Sequence, residues 1–113
     1  MTEKTQFVNA VYVLAMADTY YGSPSLKSIQ RMNIQIGKPL ENKALRKPVI
    51  SAIVGFSIAS TKQLTQVHVS ALIEETLEHK SDHIIESIEE DVRQGFAKDP
   101  LGFKPWNLYT RKG

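Results

Sequence analysis

Cysteine is absent from the 113 residues, which excludes disulfides, thiolate zinc sites and a cysteine nucleophile. No apolar run approaches the ~20 residues that a membrane span needs, so no membrane partner is expected. The six glycines are scattered, and neither G-x-G-x-x-G nor G-K-[ST] occurs. The backbone cradle of a nucleotide site is therefore missing. Serines are common, yet none sits in a G-x-S-x-G elbow. These absences lead to the expectation of a non-enzymatic protein that holds no cofactor.

The rest of the composition is that of one folded domain. An apolar fraction of 42% and a charged fraction of 23% are ordinary for a globular chain. A domain of this length buries about two-thirds of its unfolded surface, enough for one core without staples. The segment "FVNAVYVLAMA" after "MTEKTQ" has the length of a signal-peptide core. Its leader, however, balances Lys4 with Glu3, and Asn9 interrupts it, so it reads as a helix. A cytoplasmic location is expected, and the lack of cysteine fits a reducing compartment.

The net charge of +2 conceals a segregation. Residues 27–47 carry six bases against Glu41, residues 74–91 carry eight acids against Lys80, and the tail from Lys98 carries four bases against Asp99. Such asymmetry points to a charged partner or to the chain pairing with itself.

Periodicity predicts an all-α fold of four to five helices with one long C-terminal helix. Residues 5–20 form a first helix, with Phe7, Val11 and Leu14 near one line. Ser23 and Pro24 suit the cap and first position of a second, with "NIQIG" as a connection beyond it. Pro39 can begin a short helix, and Pro48 kinks it or starts its successor. "VISAIVGFSIA" (49–59) is apolar on every side and therefore central. Its β-branched content leaves a strand at 49–58, and hence an α+β fold, as the alternative. Ser60 and Gln63 match a capping box. From there nothing but Gly95 opposes a helix as far as 97, about 35 residues or about 50 Å. Such a helix must protrude, break or pack on a second copy. Residues 1–97 thus read as the helical domain and 98–113 as an irregular basic and aromatic tail.

Within "LEHKSDHIIESIEEDV" (77–92), His79 and His83 stand four apart among six carboxylates. On a helical wheel Leu77, Ile84, Ile88 and Val92 span roughly 100°, and His79, His83, Glu86 and Glu90 fall almost opposite. A histidine pair at this spacing can grip zinc. Lys80, however, occupies the place where a zinc hydrolase carries its glutamate. A solvated face without metal is the expectation, since exposed carboxylates keep ordinary acidity.

Two functions follow. The first is an adaptor, inhibitor or regulatory subunit acting through helix surfaces. It would self-associate as a homodimer along Leu77, Ile84, Ile88 and Val92, with Phe103, Trp106 and Tyr109 available to anchor another protein. Those rings could equally pin the tail onto its own bundle. The second is a DNA-binding regulator in which Lys43, Arg46 and Lys47 meet phosphates from the second helix of a helix-turn-helix. The connection there is longer than such motifs use.

Overall fold

A computed structural model describes residues 2–17, 22–78 and 81–109. Among the described residues five α-helices make up the fold: α1 Glu3–Ala17, α2 Leu26–Gly37, α3 Arg46–Val54, α4 Gln66–Glu78 and α5 Asp82–Lys98. Three single-turn 3₁₀ segments, Lys43–Leu45, Thr61–Gln63 and Pro105–Asn107, punctuate the connections. Among the described residues there is no strand, and no helix is long and apolar enough to cross a membrane.

α3 is the axle. Val49, Ile50, Ser51, Ala52 and Ile53 are five consecutive buried residues, so the middle of this helix is enclosed on all sides. The stretch that could have been a strand is a helix, and Gly55 ends it. Gly55 adopts φ 84° and donates to Ser51 O at 2.9 Å, a left-handed C-terminal stop that a β-carbon would strain. Pro48 sits in the first turn of α3, where a missing N–H breaks no intrahelical bond.

α1 packs against α4, α2 lies against α4, and α5 packs against α1 and α3. Met32 and Ile36 from α2, Leu72 from α4 and Ile85, Ile88 and Val92 from α5 join Val49, Ile50 and Ile53 of α3 in one core. α2 starts later and runs further than the sequence suggested. Its cap is Ser25, whose Oγ accepts from Ser28 N at 3.2 Å, and "NIQIG" completes the helix. The capping box at Ser60 and Gln63 forms, but it closes the 3₁₀ turn ahead of α4.

The single 35-residue helix does not form. α4 ends at Glu78 and α5 begins at Asp82, so the chain folds back on its own bundle and spans only 37 × 31 × 26 Å. A 50 Å rod would have left its apolar stripe uncovered. The break gives the core both halves, and Asp82 lies where the positive end of the α5 dipole favours an acid.

Candidate interaction surface

Lys4, Asp91 and Tyr109 join three distant parts of the chain at one point. Asp91 on α5 accepts from Lys4 Nζ at 2.6 Å and from the Tyr109 hydroxyl at 2.5 Å. Burial first, and then the hydrogen bond and negative charge of Asp91, push the phenol's pKa far above its ordinary value. Tyr109 is thus held as a neutral donor, and the tail is tied to α5.

So anchored, Tyr109 forms one wall of a cleft of about 400 Å³ between α1 and the end of α3. Val8, Asn9 and Tyr12 line it from α1, and Ala52, Ile53, Val54 and Gly55 from α3. The turn after Gly55 is fixed by Ser51, whose Oγ donates to Lys47 O at 2.9 Å and accepts from Ile58 N at 3.1 Å. The lining is largely apolar, as binding clefts usually are.

The cleft opens onto an unusual helix face. α1 buries Phe7, Val8, Val11 and Ala15, yet Tyr12 (62% exposed), Val13 (62%) and Met16 (59%) lie on the other side. On the wheel these three occupy roughly 100°, opposite the buried stripe. A helix apolar on both faces normally lies inside a protein. This one lies at the surface. The sequence signal was the unbroken apolar run from Ala10 to Ala17, which holds more large side chains than one face can bury.

A second cleft, of about 570 Å³, lies between α1, α4 and α5 and is lined by Glu3, Gln6, Phe7, Ala10, Glu75, His83 and Ile84. His83 Nε2 meets Glu3 Oε2 at 2.6 Å, and both side chains are about two-thirds exposed. Such a pair is worth little in water. Glu75 is buried beside it. His79 lies outside the described residues. Among the described residues no group of three or more His, Cys, Asp or Glu side chains is arranged to hold a metal ion. Although larger, this cleft is ringed by the polar and charged side chains of Glu3, Gln6, Glu75 and His83.

The expected DNA-facing row does not assemble. Lys43 Nζ donates to the carbonyls of Gly37 and of Leu40 (3.0 Å), so it caps the end of α2. Arg46 is half-buried with its Cδ beside Gly37, and only Lys47 points freely outward. Residues 49–53 of α3 are buried, so of this helix it is the first turn, with Lys47, that reaches the surface.

The expected self-association stripe is also used internally. Ile84, Ile88 and Val92 are buried in the core of a single chain, and Leu77 alone of the four is exposed. The reason for invoking a second copy to cover them therefore disappears.

The tail rings lie on their own bundle. Phe103 packs edge-to-face on Phe96 with centroids 4.9 Å apart. Trp106 is half-buried in the 3₁₀ turn that rests on α3, and Pro105 beside it is buried.

Comparison with protein-family models, with curated proteins and with solved structures finds no match for this chain, so its reading rests on its own geometry.

Proposed function

We propose that the protein is a small non-enzymatic interaction module of the cytoplasm, an adaptor, inhibitor or regulatory subunit. Its partner is another protein, one that lays an apolar helix or loop on the outer face of α1 and sets a side chain into the adjoining cleft. The observation that carries this reading is the cluster of Tyr12, Val13 and Met16, three large apolar side chains more than half exposed on one helix face. Burying such a side chain stabilises a complex by roughly 1.5–3 kcal/mol before association costs, so three together suffice for a hot spot. The anchored tail supports the same reading, because a cleft whose walls are already fixed loses little entropy on binding.

The test uses Val13→Asp with Met16→Asp. Both sites are exposed, so the melting temperature should move by no more than a few degrees. The wild-type chain should retain a protein from its source lysate, and the variant should lose it. A partner held equally by both would remove the α1 face from consideration.

A further inference from the structure

The outward face of α2 is apolar and basic together, and none of the described residues covers it. Leu26 (71% exposed) and Ile34 (68%) are interleaved with the exposed side chains of Lys27, Arg31 and Lys38. All five fall within an arc of roughly 140°. The opposite face of α2 carries Met32 and Ile36 into the core. Lys27, Arg31 and Lys38 form no ion pair among the described residues. Lys43, by contrast, is engaged at the end of the same helix.

The complementary surface lies on α5. Asp82 and Glu86 are exposed on its outer side and likewise form no ion pair among the described residues. Their four-residue spacing, about 6 Å along a helix, equals that of Lys27 and Arg31. Leu77, half exposed in the last turn of α4, precedes the acidic stripe in sequence. Glu90, next along α5, is already engaged by Arg93 at 2.8 Å. Bases with two apolar side chains thus face outward on α2, acids face outward on α5, and Leu77 is exposed at the end of α4.

We propose that a second copy of the chain is the occupant: α2 of one copy lies on the acidic face of α5 in the other. Each copy carries one surface of each kind, so a two-fold pairing satisfies both at once. Opposite charges steer the encounter and set the register, while Leu26 and Ile34 supply the apolar contact. This pairing uses different helices from the α1 face, so either idea can fail alone.

Sedimentation velocity at about 100 μM in 50 mM salt should give a mass above the 12.7 kDa monomer. Raising salt to 500 mM should weaken association about tenfold or more, because screening shortens the reach of exposed charges. Lys27→Glu with Arg31→Glu should abolish association, as should Glu86→Lys with Asp82→Lys. An equimolar mixture of the two variants should restore it, because every junction then again joins opposite charges. Circular dichroism of each variant shows whether it folds, and the salt series on the unmodified chain tests the idea without any variant. A monomer at low salt overturns the proposal, as does association indifferent to salt and charge reversal. A monomer that duplex DNA retains at low salt also overturns it, assigning the α2 bases to phosphates instead.

Discussion

Glu89 and Asn42 are joined across the base of the bundle: a carboxylate oxygen of Glu89 on α5 accepts the backbone N–H of Asn42 at 2.9 Å. Its other oxygen accepts the N–H of Glu41 at 3.1 Å. Glu89 is only 3% exposed, so this buried carboxylate fixes the link between α2 and α3, 47 residues away in sequence. The tolerance of a buried acid follows from the two donors, which replace the water it loses.

Glu89→Ala should therefore destabilise the fold by about 2 kcal/mol, the usual scale for hydrogen bonds to a charged group. Glu89→Gln, which keeps one acceptor, should cost about half of that. Arg93 lies 3.7 Å from Glu89 but is substantially exposed, so Arg93→Ala should cost less than about 1 kcal/mol. Urea unfolding measures all three. An Arg93 effect larger than that of Glu89 would show that the ion pair, not the backbone contact, holds the link.

Tyr109→Phe deletes the hydroxyl that donates to Asp91 and should cost about 1–2 kcal/mol, or about 4–8 °C in melting temperature. The folded phenol has a raised pKa, so its contribution is full below the ordinary value of 10.0 and fades as pH climbs above it. The stability gap between wild type and Tyr109→Phe should accordingly narrow above pH 10. A gap that is constant with pH would deny that the hydroxyl is the source.

His68 provides a test at the acid side. Its ring packs edge-on against Phe56 at 5.1 Å, and its Nδ1 lies 2.7 Å from the Thr65 hydroxyl. Burial lowers its pKa below 6.5, so the unfolded chain takes up a proton first as pH falls. Stability present above about pH 6.5 should be lost progressively below it. His68→Gln should lose less between pH 7 and 5 than the wild type does, with carboxylate effects common to both. Parallel melting curves over that interval would contradict the assignment.

Legibility in the sequence followed how local each determinant was. Ser60 and Gln63 were readable because a capping box is closed within four residues. The buried run at 49–53 was readable as central, but not as helix, because uniform apolarity carries no period. Gly55 marks where the helix ends, through a backbone angle that only the folded chain reveals. The break after α4 was hidden because residues 77–92 keep one helical period across it. Long-range partners such as Glu89 with Asn42 and Tyr109 with Asp91 had no signal at all. The exposed row on α1 was half legible: the apolar run was visible, the side that stays wet was not.

Gly95 shows how a residue read as a weak point in a helix can be a contact. The Phe103 ring lies against its α-carbon, and a β-carbon built there would fall well inside van der Waals contact with three ring atoms. Phe103 in turn meets Phe96 edge-on, so the bare glycine lets the tail close over α5. In a solvent-exposed helix Gly→Ala stabilises by about 1 kcal/mol through backbone entropy. Here Gly95→Ala should destabilise by about 1–3 kcal/mol, because the ring must leave its place. In a Phe103→Ala background the obstacle is gone, and the same substitution should stabilise by up to about 1 kcal/mol. A double-mutant cycle in urea reads this reversal of sign. If Gly95→Ala has the same sign in both backgrounds, Phe103 does not rest on Gly95 in solution.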